Sequence, residues 1–147
     1  MRLLSEINGD LRPDESYQLL IDGEWCDGAQ GKTLESFNPA TGEKLTEIAV
    51  AEKEDVDRAV KSAWAAFETW SKTSPQERSK YLLKIADCLE EEASRFATLE
   101  TLDNGKPIRE TTNVDIPLAI DHFRYFAGVI RAESDEANLI NQDSLSI

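Results

Sequence analysis

The sequence has two cysteines, Cys26 and Cys88, and a single histidine, His122. Two cysteines are too few for a disulfide framework. They lie far apart in sequence, and one histidine does not complete a zinc set with them. Both read as reduced thiols in a cytoplasmic protein. Apolar runs are short, and none reaches the roughly 18 residues that a membrane span needs. The opening Met-Arg-Leu-Leu-Ser-Glu-Ile holds no apolar stretch of signal-peptide length. Basic residues are scarce: 16 Lys and Arg stand against 29 Asp and Glu, a net charge of −13. Nucleic-acid phosphates and anionic membrane surfaces both demand clustered cations, so neither is an expected partner. Nucleotide and nucleophile loops are missing too. There is no G-x-G-x-x-G, no Walker loop and no G-x-S-x-G elbow. Gly23, Gly28 and Gly31 flank turns. What is present, 147 residues at 40% hydrophobic and 31% charged, is the composition of one globular domain. That length can bury roughly 70% of its unfolded surface.

Residues 1–16 read as a polar lead-in, broken by Gly9 and Pro13. From Tyr17 the pattern becomes strand-like. Leu19-Leu20-Ile21 and Glu24-Trp25 flank Asp22-Gly23, a pair suited to a two-residue hairpin turn because both positions accept positive φ. A second hairpin is expected from Thr33–Phe37 and Leu45–Val50, which alternate around Asn38-Pro39-Ala40-Thr41-Gly42. The first third therefore reads as antiparallel β. At Ala51 the period switches. Val56, Ala59, Val60, Ala63, Phe67 and Trp70 form one stripe of a helix over about 52–71. Ser74, Pro75 and Glu77 make a capping box for a second helix, which is expected to run unbroken to Asn104-Gly105. A third helix spans about Pro117 to Ala132, preceded by a turn at 108–114. Pro117 is tolerated only in its first turn or at a kink. Asn138-Leu139-Ile140 and Ser144-Leu145-Ser146-Ile147 read as strand.

These residues assemble little catalytic chemistry. A Cys88–His122 dyad is conceivable across two helices, but Cys88 sits beside Asp87 and Glu90–Glu92, and neighbouring acids make a thiol a poor nucleophile. The simpler reading gives an ordinary helical His122 and structural Cys26 and Cys88. Asp115 and Asp121 fall on different helix faces, which rules out paired-carboxylate work. Glu90–Glu92 reads as a solvated face. Trp64, Phe67, Trp70, Phe123, Tyr125 and Phe126 read as core or interface, since base stacking wants basic neighbours.

The order of motifs is more specific than any one of them. It comprises Ile21-Asp22-Gly23-Glu24-Trp25, Phe37-Asn38-Pro39-Ala40-Thr41-Gly42-Glu43 and Asp55-Val56-Asp57-Arg58-Ala59-Val60. Ala65-Ala66-Phe67, Leu99 through Pro107, and Phe123-Arg124-Tyr125-Phe126-Ala127-Gly128 follow. Over about residues 17–147 the chain resembles the N-terminal part of the NAD(P)-dependent aldehyde dehydrogenase superfamily. The resemblance implies an α/β fold: the start of a Rossmann-like nucleotide-binding domain over 17–137, with two β-hairpins and three helices. It makes 138–147 the start of an oligomerisation arm, with a homodimer or homotetramer expected for the complete enzyme. It implies oxidation of an aldehyde to its acid with NAD or NADP. In that reaction a Cys thiolate attacks the aldehyde, hydride passes to nicotinamide, and a Glu-activated water hydrolyses the thioester.

The groups that do this work have no counterpart here. The Pro-Trp-Asn-Phe-Pro segment, the Gly-rich nucleotide turn, the general-base Glu and the nucleophile in its Gly-Gln-x-Cys setting are missing. Cys26 and Cys88 do not match that setting. No catalytic or cofactor-binding residue is therefore assigned, and the expectation is a family member truncated inside the first strand of its arm. The resemblance does carry over a monovalent cation site, to Ser36, Phe37 (by its backbone) and Asp103; Asp103 alternatively only helps terminate its helix. It also places Leu118 and His122 near the mouth of the substrate channel. Two other readings stay open. One is a standalone helical interaction module without catalysis, whose uncovered apolar faces bind a partner. The other is a relic or artificial truncation, folded only in part.

Overall fold

The computed structural model describes residues 11–132 in full and the backbone of 138–141 and 144–146. Most of the expected lead-in and the side chains of the 138–147 arm lie outside the described residues.

The first elements are strands. β1 is Ser16–Tyr17, β2 is Leu19–Ile21 and β3 is Glu24–Cys26. β4 is Thr33–Phe37 and β5 is Lys44–Ala49. β2 and β3 pair antiparallel, with Leu20 opposite Trp25. Asp22 (φ 57°) and Gly23 (φ 79°) form the turn between them. Asp is one of the few residues besides Gly that adopts this conformation cheaply. β4 and β5 also pair antiparallel, with a register shift between Ser36 and Phe37. The expectation of a purely antiparallel first third fails at one edge. β1 runs parallel to β5, so the larger sheet has the order β1-β5-β4. Two residues of strand inside a polar segment have no periodicity to read. The Thr46 hydroxyl steadies this edge by donating to the Asp14 carbonyl at 2.8 Å.

α1 spans Lys53–Trp70, and Glu52 is its N-cap rather than part of its first turn. α2 spans Pro75–Glu91. Its capping box is complete: Ser74 Oγ accepts from the Glu77 amide, and the Glu77 carboxylate accepts from the Ser74 amide. The single long helix expected from 75 to 104 is in fact two, because α3 begins at Ala93 and runs to Asn104. The break falls at Glu92, whose backbone (φ −98°, ψ 13°) lies in the bridge region. Three successive carboxylates at a helix C-terminus oppose the dipole there. The two halves also serve different partners: α2 packs along α5, whereas α3 packs against the turn that precedes α5.

That turn comprises α4 (Ile108–Glu110) and a π-helical stretch, Thr111–Asp115. It runs directly into α5, Ile116–Ala132. Pro117 is thus the second residue of α5. The wider π turn accommodates its missing N–H without ending the helix. β6 (Asn138–Asn141) and β7 (Ser144–Ser146) form an antiparallel pair.

Burial is concentrated where small residues let elements approach closely. Ala86 of α2 and Ala127 of α5 are buried, and the buried Ser79 hydroxyl donates to the Ala127 carbonyl at 2.7 Å. Leu45, Ala97, Leu102 and Ile120 complete the apolar interior with Ile21. The aromatic residues read as core or interface are mostly uncovered in this chain. Trp64 is 68% exposed and Phe67 54%, while Tyr125 and Phe126 are also exposed.

Candidate functional site

Ser36 and Asp103, far apart in sequence, meet in the structure. The Ser36 hydroxyl donates to Asp103 Oδ1 at 2.8 Å. Each is brought there by a local device. Ser36 lies at the register shift of β4, just before the Asn38–Gly42 turn. In that turn Asn38 is fully buried; its side-chain oxygen accepts from the Ala40 amide and its carbonyl accepts from the Gly42 amide. Asp103 occupies the last turn of α3, which ends at Gly105 in the left-handed conformation (φ 80°). A Cβ at Gly105 would sit 3.0 Å from Pro39 Cγ. Glycine therefore both turns the chain and lets the hairpin turn rest against the helix end. That contact sets the distance between Ser36 and Asp103.

The pair stands at the edge of an open cleft of about 360 Å³ whose wall includes Pro13, Tyr17, Leu45, Phe96 and Leu102. Glu100 also reaches the cleft, but its carboxylate accepts from Asn104 Nδ2 at 2.5 Å. Lys106 is engaged by Asp115 at 2.6 Å, and this bond raises the lysine pKa. The neighbouring ammonium is thus committed to Asp115, with Glu100 3.8 Å away. A hydroxyl and one carboxylate are hard oxygen donors of low total charge, a set suited to a monovalent ion rather than a multivalent one. Among the described residues, no group of three or more His, Cys, Asp or Glu side chains could hold a metal.

Leu118 and His122 lie one turn apart on the outer face of α5, and both are exposed. Tyr125 continues that face. The opposite face carries the buried Ile120 and Ala127 against α2. Arg124 ties the same two helices together through Glu90 at 2.6 Å and Asp87 at 3.3 Å. The Glu90 carboxyl is held below its ordinary range by the Arg124 hydrogen bond. Cys88 is exposed on α2 and free. No hydrogen bond joins it to His122 among the described residues, so the geometry offers no dyad.

The residue that sequence reading undervalued is Asp55. An acid in the first turn of a helix is ordinarily solvated, yet Asp55 is 2% exposed. Its carboxylate accepts from the Ala29 amide at 2.9 Å, the Glu52 amide at 3.0 Å and Arg58 at 3.3 Å. The Ala29 amide does most to hold its pKa below the usual carboxylate range, followed by Glu52; burial opposes them and Arg58 helps. Arg58 also donates to Cys26 Sγ at 3.2 Å. The clamp therefore fastens the end of β3 and its exit loop onto the start of α1. The available signal was the Glu52–Asp55 spacing, an acidic version of the capping box.

This clamp also bears on nucleotide binding. A pyrophosphate seeks a helix N-terminus with free amides and positive dipole. Here Glu52 and Asp55 fill the start of α1, while Ser74, Pro75 and Glu77 fill the start of α2. Both of these helix starts are already capped by the chain's own side chains.

The class that the fold defines is α/β, with helices and small sheets. Comparison with known proteins supplies the family. The model of the aldehyde dehydrogenase family matches residues 25–146. An aldehyde dehydrogenase of Paracoccus denitrificans is 47% identical over 133 residues, covering 90% of this chain and 26% of that protein. An EPTC-inducible aldehyde dehydrogenase of Rhodococcus erythropolis is 47% identical over 130 residues, covering 88% and 26%. Among solved structures, the NAD+ complex of a Bacillus cereus aldehyde dehydrogenase superposes with a TM-score of 0.84 at 38% identity, covering 89% of this chain and 27% of that one. The chain belongs to the aldehyde dehydrogenase family. It spans about a quarter of the length of the curated relatives it matches. Among the described residues no helix is long and apolar enough to cross a membrane.

Proposed function

We propose that this chain is the N-terminal quarter of an aldehyde dehydrogenase that, when complete, oxidises an aldehyde to its carboxylic acid with NAD or NADP. The family match over residues 25–146, confined to about a quarter of the relatives, carries the reading. In it, 17–137 begin the nucleotide-binding domain and 138–147 begin an arm that joins subunits into a cytoplasmic homodimer or homotetramer. The nucleophile, the general base and the dinucleotide site belong to the remaining three-quarters, so the 147 residues alone are inactive. With the starts of α1 and α2 capped by its own side chains, this chain takes no part in holding NAD.

The chain's own contribution is structural and electrostatic. Ser36, the Phe37 carbonyl and Asp103 hold a monovalent cation that locks the second hairpin to the end of α3. Leu118 and His122 border the mouth of the aldehyde channel. The cation is tested by thermal unfolding in potassium or sodium chloride against tetramethylammonium chloride at equal ionic strength. A higher Tm with the small cations, abolished in Ser36→Ala and Asp103→Asn, supports the site. Equal Tm values in all three salts refute it. Inactivity is tested by following NADH formation with propanal and the 147-residue chain. The exposed aromatic face of α1 favours a second reading, a non-catalytic interaction module, which predicts binding without turnover.

A further inference from the structure

Asn38, Asn104 and Asn113 are the asparagines whose side chains fall among the described residues, and the residue after each sets its chemistry. Asn38 is fully buried and precedes Pro39, which has no N–H to act as a nucleophile. Asn113 precedes the branched Val114, and its Nδ2 donates to the Arg109 carbonyl at 2.8 Å. Asn104 differs from both. It is exposed, it is the last residue of α3, and it precedes Gly105, whose missing side chain leaves the amide nitrogen unshielded. A single bond, from the Gly105 amide to the Thr101 carbonyl at 3.1 Å, holds that nitrogen to the helix. Helix ends fray, so this bond opens readily. Asn104 Oδ1 accepts from the Lys106 amide at 2.7 Å. That donor polarises the side-chain carbonyl and stabilises negative charge forming on its oxygen.

We propose that Asn104 is a site of spontaneous deamidation, and that its conversion releases the Asn38–Gly42 turn from the end of α3. The Gly105 amide nitrogen loses its proton and attacks Asn104 Cγ. The Cγ–Nδ2 bond breaks, and ammonia leaves with one proton in place of the one the amide lost, which closes a succinimide ring. Water then opens the ring at either carbonyl and gives aspartate or isoaspartate. Both products disturb the same join. Glu100 accepts from Asn104 Nδ2 at 2.5 Å, so a new carboxylate turns that bond into a like-charge contact one helical turn apart. The carboxylate also lies beside Asp103 at a helix C-terminus, where the dipole disfavours anions. Isoaspartate adds a methylene to the backbone just before Gly105. Space is tight there, since a Cβ at Gly105 would meet Pro39 Cγ at 3.0 Å. The lengthened chain therefore carries Gly105 away from Pro39 and Asp103 away from Ser36. The inference concerns this chain's own backbone chemistry and is independent of the functional reading above.

The test incubates the folded 147-residue chain at 37 °C and pH 8. Isoaspartate is assayed with protein isoaspartyl methyltransferase, and peptide mapping locates it. Expected is isoaspartate at 104, with Tm lower by about 3–8 °C in the converted fraction. A parallel sample at pH 6 should react several-fold more slowly, because the attacking nitrogen must first lose its proton. Asn104→Gln should show neither change at 104 nor the loss of Tm, since its longer side chain closes a ring far more slowly. That variant keeps Asn8-Gly9, the other such pair in the sequence, and so reports any effect arising there. Asn104→Asp should carry a lowered Tm without incubation while keeping its helical circular dichroism. Absence of isoaspartate at 104 in the folded chain overturns the proposal; reaction in urea alone would show that the Thr101 bond shields the site. Conversion at 104 with an unchanged Tm overturns the claimed release of the turn.

Discussion

Gly28 is the position where a single methyl group should do the most damage. A Cβ built there lies 2.1 Å from the Val50 carbonyl oxygen and 3.2 Å from its carbon. Relieving that overlap takes a backbone shift of about 1.4 Å, because ordinary contact lies near 3.5 Å. The shift cannot stay local. The Gly28 carbonyl accepts from the Gly31 amide at 2.8 Å, the next amide belongs to the Asp55 clamp, and Val50 leads directly into α1. Gly28→Ala should therefore cost about 2–4 kcal/mol. At about 2–4 °C per kcal/mol for a domain of this size, Tm should fall by about 5–15 °C. Gly31 provides the contrast. Its φ of +61° strains any substituted residue, but nothing lies within 4 Å of its missing Cβ. Gly31→Ala should cost only about 1 kcal/mol, the penalty of the left-handed conformation. Thermal unfolding followed by circular dichroism compares the two. Equal Tm values, or a milder loss at Gly28, would refute the claim that the loop after β3 is wedged against the entry to α1.

Other substitutions probe separate parts of the structure. Ser74→Ala removes a reciprocal cap and should cost about 1 kcal/mol, seen as a lower urea midpoint at unchanged m-value. Leu102→Ala empties a buried site and should cost about 2–5 kcal/mol, whereas Leu34→Ala, at a 63% exposed position, should change stability by less than about 0.5 kcal/mol. Because the folded-state pKa of Asp55 is depressed, its stabilising contribution is fully present above the ordinary carboxylate pKa of 3.8 and is lost as pH falls through and below it. Asp55→Asn should therefore lower stability at pH 7 and flatten the acid limb of a stability–pH curve; an unchanged limb would show that the clamp carries no linkage.

The turns were the most legible part of the fold, because turn chemistry acts over two to five residues. Asp22-Gly23, Asn38–Gly42, the Ser74–Glu77 box and Asn104-Gly105 each announce a backbone conformation that few other residues adopt cheaply. Long-range choices were less legible. The β1–β5 pairing depends on a distant partner, and the break at Glu92 depends on α2 and α3 facing different neighbours. The π turn before Pro117 was visible only as a constraint on where a proline can sit. Apolar periodicity put Val56, Val60, Phe67 and Trp70 on one stripe of α1, whereas Trp70 lies against Tyr81 and Arg78 and Phe67 pairs with Trp64; periodicity reports which face prefers to leave water, not what covers it. The meeting of Ser36 and Asp103 followed from resemblance alone, since no local pattern links a strand bulge to a helix end 67 residues away. Asp55 was hidden for the opposite reason. An acid in the first turn of a helix is so ordinary that its burial and its grip on Ala29 left no separate trace.

We propose that this chain, which spans about a quarter of the length of its curated relatives, supplies scaffold but no chemistry of its own. NADH formation from propanal tests it most directly, using the 147-residue chain alone beside the full-length Paracoccus denitrificans aldehyde dehydrogenase. The account predicts no turnover from the chain alone and turnover from the full-length relative under the same conditions. Aldehyde-dependent NADH formation by the purified 147-residue chain would contradict it.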